Sequence, residues 1–246
     1  MYFLFSSEGP TDLGTGLKDA ISEGNQFLHG PLVLLADQIF RDSIYEYSFV
    51  DSQCFGYVSK SRIVEHFKTL KPLKKFRIPQ GDLKDSQGTK YFRNNARALG
   101  AIAKKIALEK DDDVVAILFR DSDERNSSSS SDWKDKFDSM ILGFRDEQFD
   151  RGVPMLPKPV SEAWILCAIY RKENPNRSCN DLEDRKYGTG AEHSLKIELT
   201  NLPDINNDRD SLNEKVENLE IHYSFINLNS FNAFKTQFEA TIQYKK

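Results

Sequence analysis

Val114-Val115-Ala116-Ile117-Leu118-Phe119-Arg120-Asp121-Ser122-Asp123 is the stretch on which the reading of this chain turns. Its apolar first part is dense in β-branched residues, and Asp111-Asp112-Asp113 lead into it. Such a run reads as a strand buried on both faces of a sheet. Asp121 and Asp123 then fall at the carboxyl end of that strand, where open α/β sheets bind their ligands. Like charges this close call for a counter-charge, and a hard divalent cation with oxygen ligands supplies it. The expectation is a central strand that carries a metal site, with the chain folded around it.

Working back from this strand, the Ala-rich pattern from Thr89 to Leu108 predicts an amphipathic helix with Phe92, Ala96, Leu99, Ile102, Ala103 and Ile106 along one side. A helix feeding a buried strand implies β–α–β units and a mostly parallel sheet. Tyr2 to Phe5 predicts a first strand, ended by Glu8-Gly9-Pro10-Thr11-Asp12, and Leu13 to Ile21 then looks helical. Glu8 therefore stands at a strand's carboxyl end and Asp12 in a helix's first turn, a place that the helix dipole favours for any acid. Pro31 to Phe40 suits helix or strand, Tyr45–Val50 and Phe55–Val58 suggest paired strands, and Arg62–Leu70 a helix. The basic, Phe-containing stretch Lys71 to Arg77 reads as a solvated loop or as a contact for a phosphate backbone.

On the other side of the strand, Ser127 to Ser131 form a loop beside the presumed site, either a linker or a segment that orders on substrate. Trp133–Leu142 predicts a helix and Gly152–Pro157 a short extended piece. Lys158-Pro159-Val160-Ser161-Glu162 then opens an apolar helix. Ser161 and Glu162 suit plain capping, or, with Lys158, face a metal or a phosphate. From Arg171 onward Asn, Asp, Glu and Lys dominate, with weak helices near Ser194–Leu199 and Leu212–Leu219 and a closing helix carrying Phe231, Phe234 and Phe238. This divides the chain into a core over residues 1–170 and a helical and loop extension over 171–246, packed on the same core.

With 246 residues, 39% hydrophobic, the chain can bury a substantial core. A net charge of −4 makes it no polyanion binder by bulk charge, although clustered bases or metal ions would still admit nucleic acid. Cys54, Cys167 and Cys179 form no C-x-x-C and indicate neither a disulfide framework nor a zinc knuckle. His29, His66, His193 and His222 match no metal-binding spacing. Met1 to Phe5 is too short for a signal peptide or a membrane span, so a cytoplasmic protein without membrane contact is expected.

Ser7-Glu8-Gly9-Pro10-Thr11-Asp12 together with Leu118-Phe119-Arg120-Asp121-Ser122-Asp123 resembles the Toprim fold of topoisomerases, primases and OLD-family nucleases. In that family a glutamate after the first strand and a D-x-D after a later one bind Mg²⁺, and the OLD-type variant adds an acid four residues after the first, here Asp12. Pro157-Lys158-Pro159-Val160-Ser161-Glu162-Ala163-Trp164 and Asn229-Ser230-Phe231-Asn232-Ala233-Phe234 look like segments of small stand-alone Toprim-like proteins, often linked to phage defence. The motifs are short but span the chain. Arg125 breaks the D-x-D-x-T of haloacid dehalogenases, and with Asn126 it breaks an EF-hand loop. The further motifs of topoisomerases and primases are missing, so their reactions are not implied.

What the resemblance implies is an α/β fold with a mostly parallel central sheet flanked by helices, and a Mg²⁺- or Mn²⁺-dependent phosphodiester hydrolase acting on nucleic acid. Glu8, Asp121 and Asp123 would hold a first ion, and Asp12 with Glu162 a second. Two ions about 4 Å apart activate water and stabilise the leaving oxygen. Lys158 would offset charge on the transition state, and Arg120 and Arg125 would grip neighbouring phosphates. No P-loop is present, so an ATPase would be a separate partner. The alternatives are a non-catalytic Toprim-like binding or regulatory module, and a hydrolase of small phosphorylated substrates.

Overall fold

The computed structural model of the protein describes residues 1–9, 12–18, 20–43, 47–72, 87–122, 130–185, 194–203 and 205–243. The expected central strand is β6 (Val114–Phe119), buried along its whole length. It lies parallel to β1 (Tyr2–Ser6) on one side and to β7 (Gly152–Met155) on the other. Beyond β1 come β5 (Phe55–Val58), also parallel, and the antiparallel edge strand β3 (Ile21–Glu23). The sheet order is β3-β5-β1-β6-β7, and β2 (Gly14–Thr15) pairs with β4 (Leu28–His29) outside it.

Two apolar layers sandwich this sheet, and strand alternation decides which residue joins which. Phe3, Phe5, Val115, Ile117 and Phe119 point into a layer with α1 (Pro31–Ser43), α5 (Glu162–Glu173) and α9 (Asn229–Gln243). Tyr2, Leu4, Val114, Ala116 and Leu118 point to the opposite face, against α3 (Gln87–Lys110) and α4 (Ser130–Asp146), with α2 (Lys60–Thr69) packed on α3. A period of two on a strand buried from both sides produces this division. The fold is thus α/β with a mostly parallel central sheet flanked by helices.

The C-terminal part adds α6 (Asn180–Asp184), α7 (Leu195–Thr200) and α8 (Arg209–Glu217) before α9. Leu195, Leu199, Leu212, Val216, Phe234 and Phe238 are buried in the same apolar layer as Phe3 and Phe5. Cys179, just before α6, forms a disulfide with Cys167 inside α5, their Cα atoms 5.6 Å apart. The sequence indicated no disulfide framework, because a separation of 12 residues carries no signature and only the packing of α6 on α5 brings the thiols together.

Two local expectations also change, and one left open is decided. Leu13–Ile21 is not helical: Gly14 has φ +105° and lies so close to β4 that a Cβ there would collide with the Leu28 carbonyl. Instead of a strand, residues 47–53 form a bend and turn, because the buried Asp37 of α1 accepts the Phe49 and Val50 amides at 2.8 and 3.3 Å. Pro31–Phe40 is helical, with each of those residues buried. Among the described residues no helix is long and apolar enough to cross a membrane.

Candidate metal centre

Taking only the parallel strands, the chain runs from β1 outward to β5, then returns to place β6 on β1's other side. The sheet therefore has its topological switch point between β1 and β6, and a crevice opens at the carboxyl ends of such a pair. Glu8 follows β1 and Asp121 follows β6, so both flank this crevice. Ser6 pairs with Leu118, which leaves Glu8 and Arg120 two residues further along neighbouring strands.

Three of the expected acids gather around one serine. Ser161 donates its hydroxyl to Asp12 Oδ1 and lies 3.5 Å from Glu162 Oε2, while its amide donates to Asp121 Oδ1 at 3.2 Å. The same junction is tied by Ser122, whose hydroxyl donates to the Pro159 carbonyl at 3.2 Å. Ser161 precedes α5 but makes no side-chain cap, so its hydroxyl serves Asp12 in place of the helix end. The acids line a cavity of about 230 Å³ together with Lys196 of α7 and Asn207.

The electrostatics follow from this crowding. Burial pushes the Asp12 carboxyl up, and the Ser161 hydroxyl and Lys196 only partly offset it. Glu162 is also pushed up, first by burial and then by the Asp12 charge. The charge on Asp12 thus disfavours ionisation of its neighbour Glu162.

Glu8 has a different setting. Its Oε1 accepts the Tyr91 hydroxyl, lies 3.1 Å from Lys60 Nζ, and is 3.6 Å from Arg120 Nε. Burial pushes this carboxyl up, but Tyr91, Arg120 and Lys60 outweigh it and hold Glu8 below the ordinary glutamate range. Arg120 is 0% exposed and donates to Asn95 Oδ1, to the Phe119 carbonyl and, at 3.4 Å, to the Ser6 carbonyl. It therefore orders the crevice from beneath and does not reach a substrate phosphate, contrary to expectation. Lys158, with its side chain 15% exposed, lies 3.6 Å from Asp184 of α6. Asp123 and Arg125 lie outside the described residues.

Among the described residues no group of three or more His, Cys, Asp and Glu side chains is drawn together closely enough to hold a metal ion by itself. The chemistry of the donors still fits a hard cation, because Asp12, Asp121 and Glu162 offer only oxygen. Mg²⁺ in particular uses one or two carboxylates, keeps waters and takes substrate phosphate oxygens. Tyr91, Lys60 and Lys196 carry no sequence signal; Tyr91 is 83 residues from Glu8 and joins it only through the packing of α3. No protein-family model, curated protein or solved structure matches the chain.

Proposed function

We propose that the chain is a Toprim-type phosphodiester hydrolase, a nuclease dependent on Mg²⁺ or Mn²⁺. The observation that supports this reading is the meeting of Asp12, Asp121 and Glu162, from separate stretches, around Ser161 beyond the carboxyl end of β6, with Glu8 following the neighbouring β1. Asp12, Asp121 and Glu162 would hold the ion, with Glu8 as a further oxygen donor. Such an ion, when bound, supplies a Lewis acid that lowers the pKa of water and neutralises a phosphoryl group.

The chain's own residues do the rest. Ser161 keeps Asp12 and Asp121 on one side of the cavity, and Arg120 and Tyr91 orient Glu8. Burial and the Asp12 charge make Glu162 hold a proton more readily than an ordinary glutamate, which suits it to proton transfer. Lys196, which lines the same cavity, contacts a substrate phosphate. The same reading makes the protein a cytoplasmic effector of phage defence working with a separate ATPase. The Cys167–Cys179 bridge is unusual for that compartment, so its redox state in freshly quenched cells tests the location.

A second reading, a non-catalytic Toprim-like module, is favoured by the ion pairs on Glu8 and by the lack, among the described residues, of a self-sufficient metal cage. A cleavage time course separates the two. Supercoiled plasmid, linear duplex, single-stranded DNA and RNA are incubated with Mg²⁺, Mn²⁺ or EDTA, using wild type, Asp121→Asn and Asp123→Ala. Metal-dependent cutting lost in both variants supports the nuclease. Absence of cutting, with Mn²⁺ still bound, supports the binding module.

A further inference from the structure

Another cavity lies beside the crevice, between α2 and α3. It holds about 200 Å³ and is lined by Ile63, Val64, Phe67, Lys68, Tyr91 and Asn94, with Asn95. Its walls are mostly apolar. Ile63 is buried and Phe67 packs partly buried on the same core, while Val64 and Tyr91 stay 43% and 36% exposed. The Tyr91 ring that lines the cavity carries the hydroxyl that Glu8 Oε1 accepts. Asn95 makes a second tie: its Oδ1 accepts from Arg120 at 2.8 Å, and its Nδ2 donates to the Tyr91 carbonyl at 2.6 Å. The cavity is thus fixed to the residues that follow β1 and β6. Its charge is positive. Lys68 lines it, Lys60, which also pairs with Glu8, stands 5.6 Å from the centre of the Tyr91 ring, and among the described residues no Asp or Glu lines it.

We propose that this cavity takes one unpaired base of a single-stranded nucleic acid whose backbone continues into the crevice. The inference rests on the nuclease reading above and names the form of its substrate. A cavity below about 300 Å³ is small for a whole ligand and suits a single heterocycle. Every base has a π-face, so stacking on Tyr91 and packing against Ile63, Val64 and Phe67 require no particular sequence. Lys60 and Lys68, from the first and last turns of α2, match the phosphates that flank the base. Continuity with Glu8 and Arg120 favours a nucleic acid here over an apolar side chain of a protein partner. A base in a duplex must leave its stack and its partner before it can enter, and that cost sets single strands above duplexes.

The test uses the full chain in EDTA, so that strands bind without being cut, and a DNA single strand carrying one 2-aminopurine, whose fluorescence falls on stacking. Circular dichroism confirms the folding of each variant. Wild type is expected to quench the probe, and to bind the matching duplex about tenfold or more weakly and without a quench. Val64→Glu, at an exposed position, should abolish the quench and weaken single-strand binding about five- to a hundredfold, the range for one lost base stack. Tyr91→Phe keeps the quench and Tyr91→Ala loses it. Leu108→Glu adds the same charge near the far end of α3, at a residue 85% exposed, and leaves affinity and quench unchanged. Single-strand binding without a quench, equal binding of the duplex, an unaffected Val64→Glu or an equal loss in Leu108→Glu overturns the base pocket. Any of these with nucleic acid still bound and cut by wild type in Mn²⁺ sinks the pocket alone. If wild type binds none of the strands, the nuclease reading falls with it.

Discussion

Replacing Ser161 with Ala removes the hydroxyl that Asp12 Oδ1 accepts, at a residue that is itself buried. A hydrogen bond to a charged partner contributes about 1.5–3 kcal/mol net. For a chain of 246 residues that corresponds to a melting temperature lower by about 3–12 °C where Asp12 is ionised. The loss has a sign in pH. The folded Asp12 carboxyl titrates above its unfolded value of about 3.9, so its ionisation weakens the fold as pH rises through the folded pKa. Ser161 lowers that pKa, so its contribution exists only where Asp12 is charged and vanishes below the unfolded value. Ser161→Ala should therefore melt well below wild type above the folded pKa of Asp12 and closer to it in acid. In an Asp12→Asn background the same substitution should cost little, the coupling appearing in the double-mutant cycle. If Ser161 acted as an ordinary helix cap, the loss would be about 1 kcal/mol and independent of pH and of Asp12. A pH-independent loss of that kind, measured by calorimetry, would refute the assignment.

Three further outcomes are expected. Glu162→Gln removes one of two repelling carboxylates, so it should raise the melting temperature above the folded pKa of Glu162, give no gain in acid, and abolish metal-dependent cleavage. Glu183→Ala strands the amides of Ser230 and Asn229 at the start of α9, which Glu183 accepts at 2.7 and 3.3 Å, and should cost about 1–3 kcal/mol by denaturant titration. Reducing the Cys167–Cys179 bridge, which closes a loop with a separation of 12 residues, should lower stability by about 3 kcal/mol, and Cys179→Ser should be indifferent to dithiothreitol.

Where a property depends on residues adjacent in the chain, the sequence alone determined it. The unbroken apolar run from Val114 to Phe119 can be satisfied only between two layers, and the Ala-rich face before it can only cover such a strand, so the α/β architecture was legible. The carboxylates at the end of that run were legible for the same reason, since a strand's direction sets which end they occupy. Where partners are far apart in the chain, tertiary structure decided. Gly14 abandons the helical pattern because β4 lies against it, and Asp37 draws residues 47–53 out of an extended path. Cys167 meets Cys179 because α6 packs on α5. The acids themselves could be named from the sequence, but their electrostatic surroundings could not. Asp12 and Glu162 are raised by burial, Glu162 also by the Asp12 charge, whereas Glu8 is held low by Tyr91, Arg120 and Lys60 from three other segments. A carboxylate's chemistry is set by what surrounds it in space, and a linear sequence does not encode that distance directly.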